Sequence, residues 1–309
     1  ACQNDENPSQ PEPKPRQDIN LTRAEQEFMD KGTDFAFRFF DQVCSTEKEK
    51  PNVFVSPLSA SLCLSMITNG ATDNTLAEMQ NVLGFPANTF SLDDLNNYNQ
   101  KLTSALLDLD NTTQLGIANS IWIEEGFKVY DSFVDVNKKM YDAQVQELDF
   151  TSPTAKDVIN QWCATQTNNC IKEVIQEIPA DARMYLINAL YFKGIWKSQF
   201  DKSATGQDNF TNVDGSQQKV AMMNQTATFN YTQTDDFSIA ELPYGNEAFS
   251  MVILLPSGDK TLDESLPNLN YENWKQWSKN MVGKELQIKL PRFKVEYDKE
   301  LEEDMIAMG

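Results

Sequence analysis

The sequence predicts an α+β fold, with runs of helices followed by runs of strands rather than regular βαβ units. Two further observations support it: no internal repeat divides the chain, and residues 184–192 carry a strand pattern that is apolar on both alternating faces. Such a run fits a strand covered on both sides, in the middle of a sheet. Asn188 is its one polar interruption. A buried Asn left without hydrogen-bond partners costs about 1–3 kcal/mol, so Asn188 implies a polar cluster beneath the sheet.

The elements follow in order. Residues 1–20 are polar and proline-rich, too poor in apolar surface to order themselves, and read as a disordered tether. From Arg23 the pattern turns helical, with Phe28, Phe35, Phe39 and Val43 on one face. Asn52 to Ser59 reads as a short strand running into a helix, with Ser56 as N-cap and Pro57 at the first helical position. That helix, near 57–69, is apolar nearly all round, which implies burial. Further helices are expected near 73–83 (stopped at Gly84), 92–109, 129–142, 153–167 and 271–281, and one more begins at Leu301. Strands are expected near 114–124, 144–150, 183–192, 217–233, 237–243, 248–255 and 285–297.

Several of these segments carry a resemblance. Asn188-Ala-x-Tyr-Phe-Lys-Gly-x-Trp196-x-x-x-Phe200 is similar to a central strand of the main sheet in serpins, the serine protease inhibitor superfamily. Ser56-Pro-x-Ser59, Ala118-Asn-Ser-Ile-Trp-Ile123, Asn160-x-Trp162, Glu241-Leu-Pro-Tyr244 and Leu290-Pro-Arg-Phe293 fall in the family's order, and the likeness runs from Phe35 to Gly309. The chain departs from the family at Asn169-Cys170, where Gly-Lys is usual. Asn tolerates the left-handed conformation that a helix-ending Gly adopts, so the turn can survive. Nothing explains the cysteine. The resemblance implies a large mixed sheet, a helical cluster and a second, smaller β region. Ser56, Ser59 and Asn188 would match the shutter beneath the opening sheet, and Trp196 the breach where insertion begins.

Bulk properties narrow the function. The chain has 309 residues, 26 Lys plus Arg against 46 Asp plus Glu, and a formal charge of −20. That balance repels phosphates and argues against nucleic acid. With no histidine, every Ser-His-Asp and Cys-His arrangement is absent, as is the commonest metal ligand. Five cysteines, Cys2, Cys44, Cys63, Cys163 and Cys170, show no zinc spacing. On one continuous helix Cys163 and Cys170 would lie about 10 Å apart, too far for a disulfide. A hydrolase would need a Ser-Lys or acidic pair, and no such constellation stands out. No cofactor, metal site or catalytic residue is expected. Asn-x-Ser/Thr sites at Asn20, Asn111, Asn209, Asn224 and Asn230 arise readily in an Asn-rich chain.

The resemblance implies a suicide substrate rather than an enzyme. A serine protease, with cysteine proteases as a second class, would cleave a reactive-centre loop whose freed arm inserts into the main sheet. That loop follows the last helix in serpins, so residues 21–309 are expected to be an incomplete serpin domain, and the scissile bond is unknown. Without the inserting strand the sheet would carry an unpaired edge. Cys2, heading an acidic, Pro-rich tail, resembles the start of a mature bacterial lipoprotein. This implies lipidation, attachment to the membrane only through that anchor, and a monomer on the cell surface or secreted. The alternative is a non-inhibitory serpin-fold binding protein, distinguished by bulky, charged or proline residues in the loop's proximal hinge.

Overall fold

The structure is a computed structural model that describes residues 12–309. Cys2 and the expected lipid site lie outside the described residues. The chain divides into two compact units: one of residues 19–109, 114–193 and 299–309, the other of 110–113, 194–298 and the described part of residues 1–18.

The first unit is helix-rich. Helix α1 (Arg23–Thr46) opens with a capping box in which Thr22 and Glu25 satisfy each other's backbone N–H groups. Its apolar stripe of Phe28, Phe35, Phe39 and Val43 is fully buried, with Phe28 packed among Phe85, Phe90 and Tyr98. Helices α2 (Pro57–Thr68), α3 (Asp73–Leu83) and α4 (Leu92–Asp108) follow, then β1 (Gln114–Glu124), α5 (Asp131–Tyr141), β2 (Gln144–Leu148), α6 (Ala155–Gln166) and β3 (Met184–Lys193). Gly84 ends α3 at φ 82°, a left-handed cap for which glycine is suited. Past α6, Asn168 and Asn169 take φ of 52° and 61°, so asparagine does fill the left-handed turn expected of it.

The three-stranded sheet runs β2-β1-β3, with β1 parallel to β2 and antiparallel to β3. Its two faces are covered by different helices. Met184 and Leu186 of β3 pack with Leu62 and Met66 of α2 and Phe133 of α5, while Tyr185, Ile187 and Ala189 pack with Ile159, Trp162 and Cys163 of α6. Both-face coverage of this strand therefore holds, but its interior position does not. Among the described residues β3 pairs with β1 alone and forms the sheet's margin. Apolar side chains above and below a strand record the layers that sandwich it. Lateral pairing is a matter of backbone hydrogen bonds, which that pattern does not encode.

The second unit is built on β5 (Gln217–Gln233), whose length is shared among neighbours. It pairs with β4 (Gly206–Thr211) through Gln217–Met222, with β8 (Val282–Pro291) through Met222–Tyr231, and with β6 (Phe237–Pro243) through Asn230–Gln233; β7 (Ser250–Pro256) then pairs with β6. Helices α7 (Leu262–Ser265) and α8 (Tyr271–Lys279) belong here, and α9 (Glu302–Met308) returns to the first unit. The strand expected over 285–297 is shifted: it begins at Val282 and ends at Pro291, beyond which only Arg292 N–H reaches a β5 carbonyl, that of Ala221. A strand persists only where a neighbour exchanges hydrogen bonds with it. Strand β4 went unanticipated because Gly206-Gln-Asp-Asn lacks β-formers.

Candidate sheet-opening site

Asn188 lies mid-way along β3, directly opposite Asn119 of β1 in the ladder. Strand alternation places it on the same face as Met184 and Leu186, towards α2. Its Nδ2 donates to Asn119 Oδ1 at 2.8 Å, and Asn119 Nδ2 donates to the Tyr141 carbonyl at the end of α5 at 2.7 Å. The Tyr141 hydroxyl donates to Asn96 Oδ1 at 2.7 Å and accepts from Asn99 Nδ2 at 3.2 Å. Asn96 and Asn69 then exchange amide hydrogen bonds at 2.8 and 3.1 Å. One polar chain thus ties β3 to β1, α5, α4 and the end of α2. Burial, which outweighs the hydrogen bonds the phenol receives, pushes the Tyr141 hydroxyl up to about 12, so it stays a neutral donor.

One valence in this chain is open. Asn188 Oδ1 is buried and accepts no hydrogen bond among the described residues. Beneath it, the Cys63 thiol donates to the Leu186 carbonyl at 3.7 Å, and the Asn188 backbone N–H points at the sulfur. Burial pushes this thiol up to about 11 despite the opposing N–H, which leaves it protonated and unreactive at neutral pH.

Ser56 caps α2, its hydroxyl accepting from the Ser59 N–H at 3.3 Å. Among the described residues neither serine hydrogen-bonds Asn188 directly; the polar contacts beneath β3 run through Asn119 and Cys63 instead. Asn119 was the missed member. Its sequence context marked a strand, but only the β1–β3 register reveals its partner.

Trp196 belongs to the second unit. It stacks on Tyr244, ring centroids 4.3 Å apart at 15°, and forms an isolated bridge with it. Lys197 N–H donates to the Pro243 carbonyl and Gly245 N–H to that of Ile195, so this aromatic pair pins the β6–β7 turn. The same turn is held by buried Asp110, which accepts from Thr112, Thr113 and the Asn246 N–H. At Gly245, φ 40°, a Cβ would fall 2.1 Å from the Asp110 carboxylate, so no larger residue fits.

Cys44, Cys63, Cys163 and Cys170 are all free thiols, with Cys163 buried and Cys170 exposed. Among the described residues no group of His, Cys, Asp and Glu side chains is arranged to hold a metal ion, and no helix is long and apolar enough to cross a membrane.

Comparison with known proteins places this arrangement in context. The family model described as Serpin (serine protease inhibitor) matches residues 30–309. A serpin-like protein of Methanosarcina acetivorans is 33% identical over 89% of this chain, which spans 65% of that relative's length. The thermophilic serpin tengpin, solved in the latent state, is 31% identical with a TM-score of 0.84, covering 94% of this chain and 76% of its own. Human thyroxine binding globulin, solved with its reactive loop cleaved, shares the fold at a TM-score of 0.87 and 23% identity, covering 93% of this chain and 85% of its own.

Proposed function

The chain belongs to the serpin family, and from that premise we propose that it is the body of a suicide inhibitor of serine proteases. In this reading a protease cleaves a reactive loop and the freed arm adds to the main sheet along β3. One observation carries the reading. Among the described residues the long strand β3 is sandwiched above and below by helices yet paired along one edge only, and the buried Asn188 acceptor at its centre lacks a donor. An added strand would supply partners for that edge and a donor for that oxygen. Asn188 and Ser56 with Ser59 act as the shutter, and Trp196, stacked on Tyr244, as the breach. Cysteine proteases form a second target class.

We place the protein on a bacterial cell surface, held by a lipid on Cys2. Mass spectrometry of the native N-terminus tests this: a diacylglyceryl adduct on Cys2 is expected, and an unmodified cysteine overturns it.

Inhibition is tested by incubating the full-length protein with a panel of serine and cysteine proteases. A complex that survives denaturing electrophoresis is expected with at least one; cleavage without a complex throughout overturns it. The second reading, a binding protein, draws on the thyroxine binding globulin likeness, because one fold serves a carrier there. A loop hinge of bulky, charged or proline residues, together with no rise in melting temperature after cleavage, favours the carrier.

A further inference from the structure

Asn69 and Gly70, at the end of α2, are the only Asn-Gly pair in the sequence. Each is fixed there by a separate constraint. A Cβ on Gly70 would fall 2.9 Å from the ring of buried Phe133, so any side chain at that position must displace the ring. Asn69 exchanges hydrogen bonds in both directions with the buried Asn96 amide, at 2.8 and 3.1 Å. Its Nδ2 also donates to the Ser65 carbonyl at 3.0 Å. The position therefore needs a donor and an acceptor on one short side chain, which a carboxylate cannot supply. Together these demands set side by side two residues whose pairing is chemically fragile. An Asn side chain is open to attack by the backbone nitrogen that follows it, and glycine, having no Cβ, hinders that attack least.

We propose that Asn69 is a site of spontaneous deamidation, restrained in the folded protein by its pairing with Asn96. The Gly70 nitrogen attacks Asn69 Cγ, and the new C–N bond closes a succinimide. The Cγ–Nδ2 bond breaks, and the Gly70 amide proton leaves with that nitrogen as ammonia. Water then opens the ring at either carbonyl, giving aspartate or isoaspartate at position 69. Two features of the structure oppose the first step. Asn69 is helical, at φ −67° and ψ −15°, and the Gly70 N–H is committed to the Ile67 carbonyl at 2.8 Å. The three hydrogen bonds of the Asn69 amide hold its carbon in place. Conversion therefore proceeds from molecules in which the end of α2 has opened, and its rate follows their population. Once formed, the carboxylate strands the Ser65 carbonyl and sets one acceptor against another at Asn96 Oδ1, which already accepts from the Tyr141 hydroxyl. The end of α2 is then cut from α4. Neither step depends on whether the sheet opens at β3.

The experiment stores the full chain at mildly alkaline pH, native and in urea, and follows the peptide carrying Asn69 by mass spectrometry and isoaspartyl methyltransferase labelling. Conversion is expected in both, about tenfold or more slower in the native chain. Asn96→Ala is expected to speed native conversion about threefold to tenfold, the effect on the open population of losing one or two hydrogen bonds. Hydrogen exchange at the Gly70 N–H should quicken by the same factor. If circular dichroism shows that this variant does not fold, the unsubstituted chain in sub-denaturing urea takes its place, and exchange and conversion must rise together. The converted protein, separated by its added negative charge, is expected to melt at a lower temperature than the unconverted. No native conversion while the urea sample converts fully, or equal rates in both, overturns the restrained site. Conversion indifferent to Asn96→Ala, or independent of Gly70 exchange, overturns the restraint by Asn96. An unaltered melting temperature overturns the structural consequence alone.

Discussion

The two sheets of this molecule solve the problem of a long strand in different ways. In the second unit, the 17-residue β5 is shared lengthwise among three neighbours, and the adjoining core holds buried Phe229, Phe237, Ile239 and Leu242. In the first unit, among the described residues, β1 is flanked on both sides, β3 on one, and an asparagine pair crosses their shared interior. Apolar packing is forgiving of small displacements and gives stability without a preferred seam. A buried amide pair is directional and costly when mismatched, so it fixes one register between the two strands it joins. The difference is one of kind: one sheet is held by apolar contacts, the other also by a directional polar seam between β1 and β3.

Truncation of the apolar sheet is the strongest way to test its side of that contrast. Phe237 is 0% exposed and packs edge-on against Trp277 at 5.8 Å. Phe237→Ala is expected to cost about 3–5 kcal/mol, read by urea denaturation; a loss below 1.5 kcal/mol would show that this core relaxes as readily as the seam.

Acid should act through the two buried carboxylates, one in each unit. Burial raises the Asp304 carboxyl, but hydrogen bonds from Lys299, Thr46 and Gln42 outweigh it and hold the group below the ordinary range. Burial likewise opposes, and the Thr112, Thr113 and Asn246 donors outweigh, at Asp110. A depressed folded value means each contribution is complete above the ordinary carboxylate range and is lost as pH falls through the lower folded value. The Lys299 ammonium is raised in spite of burial by Asp304 and Glu47, so its part is complete below the ordinary lysine range and lost at strongly alkaline pH. Melting temperature against pH should fall on the acid side, and Asp304→Asn and Asp110→Asn should each flatten that fall. An unchanged acid limb in both would discard this account.

At the seam, the two asparagines should behave unequally. Asn119→Ala strands both the Asn188 amide and the Tyr141 carbonyl, and should cost about 1–3 kcal/mol. Asn188→Leu strands only Asn119 Oδ1 and also removes an acceptor that is unmatched among the described residues, so about 1 kcal/mol or less is expected. Equal losses in denaturant titrations would mean that the open valence on Asn188 is not a real penalty.

Much of this was legible in the chain itself. β5 and β6 fall at the expected bounds because long alternating runs and clear turn residues such as Asp235-Asp236 frame them. Ser56 and Pro57 announced α2 through local chemistry that needs no distant partner. What escaped depends on contacts remote in sequence. Asn119 and Asn188 are 69 residues apart, and no local pattern at Asn119 distinguishes a seam residue from a strand asparagine. The two serines were placed by resemblance: the Ser56 hydroxyl caps α2 by accepting from the Ser59 N–H, and among the described residues neither serine hydrogen-bonds Asn188.

The smallest effect should come from the charges that decorate the apolar sheet. Lys289 of β8 and Asp208 of β4 close an ion pair at 2.9 Å, but both side chains are about half exposed, at 55% and 46%. Water and salt screen such pairs, and holding two mobile side chains in one geometry costs entropy, so their net worth is typically about 0–1 kcal/mol. Lys289→Ala should therefore leave the denaturation midpoint almost where it was, and added salt should erase whatever difference remains. If the substitution instead cost as much as Asn119→Ala, the five-stranded sheet would be held by its surface charges as well as its core. The contrast between an apolar sheet and a polar seam would then need a third term, because both sheets would depend on directional contacts.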